Sequence, residues 1–80
     1  MFYLKEEYDF DILLDYGFKK SHYDNTYEYS TNQYTIFIYS KDFDVFKKRV
    51  LYIELPTLSI LSDFSKVIEL LNDNLLGCII

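Results

Sequence analysis

Three segments in the middle of the chain have the composition of β-strands, with β-branched and aromatic residues between turn-forming residues. They are the tyrosine-rich segment between the turns at 24–25 and 31–32, the segment YTIFIYS at 34–40, and the segment FKKRVLYIEL at 46–55. Pro56 ends the third segment, because proline has no N–H to donate to a neighbouring strand. Short polar connections join the segments, so they predict a three-stranded antiparallel sheet.

Both faces of this predicted sheet carry apolar side chains, because side chains alternate along a strand. One face holds Tyr34, Ile36 and Ile38, and the other holds Phe37, Tyr39 and Tyr52. Helices on one side of a sheet leave its second face to water, and tyrosines on an uncovered face are typical of protein interfaces. The pattern leaves open which face is covered and whether the rings mainly fill a core. Tyr39 and Tyr52 are therefore candidate partner-binding residues.

Residues 8–16, YDFDILLDY, predict a short amphipathic helix. Asp9 can cap its N-terminus, and Gly17 can adopt the left-handed conformation that closes a helix. Along it, Glu7, Asp11 and Asp15 are spaced four residues apart, which would place them in one acidic row on the outer side. Such a row is either a solvated helix face or an electrostatic surface for a basic partner. These three acids complete the set of candidate partner-binding residues.

A second helix is predicted near the C-terminus, capped by Ser59 or Ser62. Its apolar residues at helical spacing are Ile60, Leu61, Phe64, Val67, Ile68 and Leu71. We expect Phe64 and Leu71 to lie in the core on this stripe. Together the elements predict a single α+β domain over residues 1–80, with the order α-β-β-β-α and both helices packed on one face of a three-stranded antiparallel sheet.

Length and composition favour one small domain that folds without cross-links. The 80 residues include nine Tyr and seven Phe, whose large side chains can build a core in a short chain. Cys78 is the only cysteine, which indicates a reducing compartment such as the cytoplasm. The N-terminal MFYLKEEYDF lacks the apolar run of a signal peptide, and no apolar stretch approaches the roughly twenty residues of a membrane helix. We expect a cytoplasmic protein that does not enter membranes.

The residues that catalysis and metal binding require are scarce in this chain. It has one histidine, His22, and one cysteine, Cys78, whereas a structural zinc site needs four such ligands. Asp42 and Asp44 could hold a divalent cation, but this spacing without the EF-hand glycine and glutamate is more typical of a turn. The two glycines are too far apart to form a phosphate-binding loop. We expect a non-enzymatic protein with no cofactor and no metal.

The stretch DILLDYGFKK, the tyrosine-rich strands and the closing segment SDFSKVIELLNDNLL resemble small acidic proteins encoded by bacteriophages of low-GC Gram-positive hosts. That population includes the anti-CRISPR proteins. The resemblance implies an inhibitor of a larger protein or nucleoprotein complex, such as a CRISPR effector, in the host bacterial cytoplasm. Inhibition would proceed either by imitating the charge of DNA or by blocking a conformational step. The alternative is a small structural or assembly protein of a phage or mobile element, which self-associates. We expect a monomer or a weak homodimer.

The net charge of −5 predicts that the protein does not bind nucleic acid directly. Such binding draws most of its affinity from Lys and Arg contacts with phosphates, and the short basic run at 47–49 does not offset the excess of acids. We expect no measurable affinity for duplex DNA or RNA at physiological salt in a gel-shift experiment. A micromolar, salt-sensitive shift would contradict this expectation.

Overall fold

A computed structural model describes residues 1–43, 45–55 and 64–79, and within these ranges it contains six β-strands, one α-helix and two 3-10 helices. The strands are β1 (Phe2–Leu4), β2 (Lys19–Lys20), β3 (Thr26–Ser30), β4 (Thr35–Tyr39), β5 (Arg49–Glu54) and β6 (Leu76–Cys78). Helix α1 spans Ser65–Asn72. The 3-10 helices span Phe10–Tyr16 and Lys41–Phe43.

All six strands belong to one antiparallel sheet in the order β2-β3-β4-β5-β1-β6. The prediction of a three-stranded sheet is therefore wrong, although β3, β4 and β5 correspond to the three predicted strands. The other strands have two or three residues each, too few to show an alternating pattern. They form because a neighbouring strand supplies the hydrogen-bonding partners of their backbone.

The order α-β-β-β-α is also wrong, because the first predicted helix is a 3-10 helix. Both predicted caps are confirmed. Asp9 Oδ1 accepts a hydrogen bond from the Asp11 N–H at 3.0 Å, and Gly17 is left-handed with φ 86°. Only seven residues lie between the caps, and Leu13 is the single buried side chain among them. Seven residues is a long run for 3-10 winding, whose poorer hydrogen-bond geometry makes runs of more than about four residues uncommon.

Helix α1 turns a different face to the sheet from the one predicted. Its buried side chains are Val67 and Leu70, whereas Phe64 and Leu71 are 48% and 39% exposed. Expecting Phe64 and Leu71 in the core was therefore wrong. The helix carries apolar residues on two adjacent faces, so the periodicity cannot indicate which face packs inward. The predicted cap, Ser59 or Ser62, and the apolar positions Ile60 and Leu61 lie outside the described residues.

The core lies against the sheet face that holds Ile36 and Ile38 of β4, both fully buried. Leu13 of the first 3-10 helix and Leu70 of α1 pack into the same cluster, so both helical segments cover one face. Polar contacts join these segments: the Tyr16 hydroxyl donates to Asp73 Oδ2 at 2.7 Å, and Lys66 Nζ donates to the Tyr16 carbonyl at 2.9 Å. The opposite face of β3, β4 and β5, which we call the outer face, has no helix against it among the described residues.

Arg49 belongs to the folded interior rather than to a solvated basic run. It is 9% exposed, its guanidinium lies 5.7 Å from the Phe10 ring centroid, and its Nη2 donates to the Lys5 carbonyl. The sheet register sets this position, because Arg49 pairs with the buried Leu4 of β1. The contacts of Arg49 thus hold the N-terminal strand and the first 3-10 helix beside β5.

Leucines 70 and 71 provide a matched test of the orientation of α1. We expect Leu70→Ala to lower the free energy of unfolding by about 2–5 kcal/mol, because it removes methyl groups from the core. Leu71→Ala should cost less than about 1 kcal/mol, since that side chain is partly in water. Urea unfolding of both variants measures the difference. Equal losses, or a larger loss for Leu71→Ala, would show that α1 presents another face to the sheet.

Candidate functional site

A cluster of four aromatic side chains occupies the outer face, and we call it the outer aromatic cluster: Tyr23, Phe37, Tyr39 and Tyr52. Strand register explains the assembly, because Phe37 of β4 is paired with Tyr52 of β5 and side chains of paired residues share a face. Ring centroids lie 6.0 Å apart for Tyr23 and Phe37, 6.0 Å for Phe37 and Tyr39, and 5.4 Å for Tyr39 and Tyr52. These separations are within the range of favourable aromatic contacts.

The central side chain of the cluster is buried, and the side chains at its two ends are exposed to solvent. Phe37 is only 8% exposed, although it lies on the face away from the helices. Tyr23 and Tyr52 at the two ends are 52% and 41% exposed. In many protein interfaces, the residues that contribute most to binding are aromatic side chains in a desolvated centre with a solvent-accessible rim around it.

Two open depressions adjoin the cluster and share Tyr39 as a wall. The larger, about 480 Å³, is lined by Phe37, Tyr39, Tyr52, Ile53 and Glu54. The smaller, about 350 Å³, is lined by Tyr23, Asp24, Thr26 and Tyr39. The rings of Tyr39 and Tyr52 meet edge to face at 74°, so the larger depression has an aromatic corner with a carboxylate at its margin.

The surroundings of Tyr39 disfavour ionisation of its hydroxyl. Burial raises the pKa of Tyr39, and the neighbouring Tyr23 and the Glu54 carboxylate raise the pKa further. The hydroxyl therefore stays protonated at neutral pH and can donate a hydrogen bond. Glu54 is exposed, and no cationic side chain of the described residues lies within salt-bridge distance of its carboxylate.

The predicted acidic row does not form. Glu7 lies in a turn before the first 3-10 helix, and Asp11 and Asp15 lie within it. A 3-10 helix has three residues per turn, so residues four apart are separated by about 120° around its axis instead of being aligned. All three side chains are exposed, but they do not make a single stripe.

Asp11 has a structural contact that the sequence pattern does not reveal. Its Oδ1 accepts a hydrogen bond from the hydroxyl of Tyr27, a core residue that is 5% exposed. Burial, and next the hydrogen bond to Asp11, raise the pKa of Tyr27 to about 12. The Tyr27 ring also stacks on Phe10 at 4.7 Å between centroids. Asp11 thus ties the first 3-10 helix to β3.

Of the five candidate partner-binding residues, the structure brings Tyr39 and Tyr52 into direct ring contact. The alternation along the predicted strands already placed Phe37 on the same face as Tyr39 and Tyr52, and Glu54 shares the parity of Tyr52, but neither Phe37 nor Glu54 was selected as a partner-binding residue. Tyr23 precedes β3 in a turn, and no local pattern indicates that its ring reaches Phe37.

The other chemically suggestive residues lie in ordinary surroundings. His22 is exposed and its ring lies 4.2 Å from that of Tyr23, while Cys78 is exposed on β6. Asp42 is exposed, and its pair Asp44 lies outside the described residues. Across the described ranges no three His, Cys, Asp or Glu side chains are grouped closely enough to hold a metal ion. No helix in these ranges is long and apolar enough to cross a membrane.

Comparison with protein-family models, with curated proteins and with solved structures finds no match to this chain. The assignment of a candidate site therefore depends on the geometry of the outer face alone.

Substitutions of Asp11 and Asp15 compare a carboxylate that is hydrogen-bonded to the core with one that is exposed to solvent. We expect Asp11→Ala to lower the free energy of unfolding by about 1–3 kcal/mol, because the buried Tyr27 hydroxyl loses its acceptor. Asp15→Ala should change stability by no more than about 0.5 kcal/mol. Chemical denaturation followed by circular dichroism measures both. Similar small effects at the two positions would remove the structural role assigned to Asp11.

Proposed function

We propose that this chain is a non-enzymatic binding protein whose outer aromatic cluster contacts a partner protein. The observation that carries the proposal is the cluster itself, in which Phe37 is desolvated and Tyr23, Tyr39 and Tyr52 surround it at an accessible surface. Tyrosine supplies a large contact area at low conformational-entropy cost, with a hydroxyl that can still bond at the rim. A face built in this way suits a tight and specific protein interface.

The form of this function that we propose is inhibition of a host CRISPR nuclease or a related nucleic-acid-processing complex, in the bacterial cytoplasm. The resemblance to small phage proteins of the anti-CRISPR type supports this choice. The acidic charge supports it as well, since nucleic-acid-processing enzymes present basic surfaces and opposite charge accelerates association.

Blocking of a functional surface or movement of the partner fits the site better than imitation of DNA charge. DNA presents regularly spaced charges, whereas Glu7 lies outside the 3-10 helix, Asp11 bonds to Tyr27, and Asp15 points elsewhere around the axis. The contacts that hold the complex together would then come from aromatic rings. The acids would act mainly on the association rate.

A self-associating assembly protein is the alternative function, and one feature of the sheet favours it. Edge strand β2 carries Lys19 and Lys20, the charged side chains that discourage pairing between sheets. The opposite edge strand β6, with the sequence LGC, carries no charge. Sedimentation velocity distinguishes the alternatives: concentration-dependent oligomers that survive outer-face substitutions would favour assembly through β6.

The proposed inhibition can be tested by target-DNA cleavage with purified CRISPR nucleases of low-GC Gram-positive bacteria. We expect the parent protein to suppress cleavage by one of them at a near-stoichiometric ratio. Tyr39→Ala and Tyr52→Ala should weaken inhibition at least about tenfold, chiefly through faster dissociation measured by biolayer interferometry. Phe64→Ala is the matched control, because it also removes an exposed aromatic ring, at the start of α1.

Two results would contradict the proposal in different ways. Absence of inhibition and of binding for every nuclease in the set would exclude the inhibitor class. Equal inhibition by the parent, Tyr39→Ala and Tyr52→Ala would exclude the outer aromatic cluster as the contact surface. Reversing Glu7 and Asp15 together to Lys, with Asp11 retained for the fold, tests charge: association should slow at low salt while dissociation is unchanged.

A further inference from the structure

We infer that the depression between Tyr39, Tyr52 and Glu54 is a receptor for a guanidinium group, so that the partner protein inserts an arginine side chain there. The inference deepens the proposed function and depends on it for the identity of the partner as a protein. The recognition chemistry itself belongs to this chain, and it can be tested without the partner.

The aromatic corner provides the first element of this receptor. Tyr39 and Tyr52 meet edge to face at a centroid distance of 5.4 Å, and both line the depression of about 480 Å³. In an edge-to-face pair, the ring that presents its edge does not use its own faces in the contact. A cation near such a face is attracted by the ring quadrupole. Phe37 forms the apolar floor, being almost wholly buried.

Glu54 provides the second element, a carboxylate at the margin of the same depression. Glu54 and Tyr39 line the same depression. In keeping with this, the pKa of Tyr39 is raised by burial, by the nearby Tyr23 and by the Glu54 carboxylate. The residue paired with Glu54 across the sheet is Thr35, which is neutral. Glu54 is therefore a negative charge with no compensating neighbour on its strand pair.

The charges on the outer face favour a cationic group in the larger depression. By register the outer face of β3, β4 and β5 carries two carboxylates, Glu28 and Glu54, and none of the eight Lys and Arg residues of the chain. Glu28 is paired across the sheet with the cationic Lys19 of β2, whereas Glu54 is paired with a neutral residue. Glu54 is the carboxylate that lines the larger depression with the aromatic corner, while Asp24 lines the smaller depression on the other side of Tyr39. Charge complementarity then requires a positive group from the partner.

A guanidinium fits this lining better than an ammonium. It is planar, so it can stack on a tyrosine ring, and its paired N–H groups match the two oxygens of a carboxylate. It is also more weakly hydrated than the lysine ammonium, so entering a depression lined largely by rings and Ile53 costs less desolvation. The occupant is therefore arginine rather than lysine.

The test is an NMR titration of the isotope-labelled protein with the blocked tripeptide acetyl-Gly-Arg-Gly-amide. We expect saturable shift changes that concentrate at Tyr39, Tyr52 and Glu54, with a dissociation constant in the millimolar range. The same peptide with citrulline, a neutral isostere of arginine, should give no saturable change, and the lysine peptide should bind at least about threefold more weakly. Glu54→Gln should weaken the arginine peptide about fivefold.

Glu6→Gln is the matched control for Glu54→Gln, because it removes the same charge from an exposed turn away from the outer face. It should leave the dissociation constant unchanged within about a factor of 1.5, as expected for a distant screened charge. Equal binding of the arginine and citrulline peptides, binding of lysine as tight as arginine, or equal effects of Glu54→Gln and Glu6→Gln would each overturn the inference. Tyr52→Phe removes only the hydroxyl and keeps the ring. It should retain binding, because the ring face is what attracts the cation.

The titration and the inhibition assay test the two proposals separately. If the arginine peptide does not bind but Tyr39→Ala still abolishes inhibition of a nuclease, the guanidinium receptor is wrong and the protein interface stands. If the peptide binds at the predicted residues and no nuclease is inhibited, the receptor stands and the inhibitor class is wrong.

Discussion

The alternation of side chains along β4 defines both the core and the candidate site. Ile36 and Ile38 are fully buried against the helical segments, while Phe37 and Tyr39, one residue out of phase, form the centre of the outer face. A shift of one residue in register would exchange the two sets. The same strand therefore contributes to the core on one side and to the candidate site on the other.

Strand β5 extends this arrangement across the sheet. Its first two residues pair with β1 and its last four with β4, so it connects the N- and C-terminal strands to the central hairpin. Arg49 reinforces the connection through its contacts with Phe10 and the Lys5 carbonyl. At the other end of β5, Tyr52 and Glu54 complete the outer site. Stability and recognition thus use opposite ends and opposite faces of one strand.

The division between structural and recognition residues follows from their surroundings. Asp11, selected as a charge for a partner, is held by Tyr27 and contributes to the fold. Glu54, which the acidic pattern near the N-terminus does not include, lines the larger depression beside the rings of Tyr39 and Tyr52. Burial makes Tyr27 a core residue, whereas Tyr39 and Tyr52 lie on the outer face. Residue type alone does not separate these roles, because the same tyrosine can fill a core or present a binding surface.

Local patterns in the sequence were enough to predict the three central strands, the caps at Asp9 and Gly17 and the two alternative aromatic faces. These features depend on neighbours a few residues apart, whose spacing and backbone preferences are local. Tertiary contacts were needed to define the short strands β1, β2 and β6, the 3-10 winding and the face that α1 buries. They also define which face of the sheet has no helix against it within residues 1–43, 45–55 and 64–79. Two or three residues have no stable strand of their own, and a helix with two apolar faces has no preferred orientation until it packs. Tyr23 joins the site for the same reason, since a tertiary contact brings it beside the ring of Phe37, which is distant in the chain.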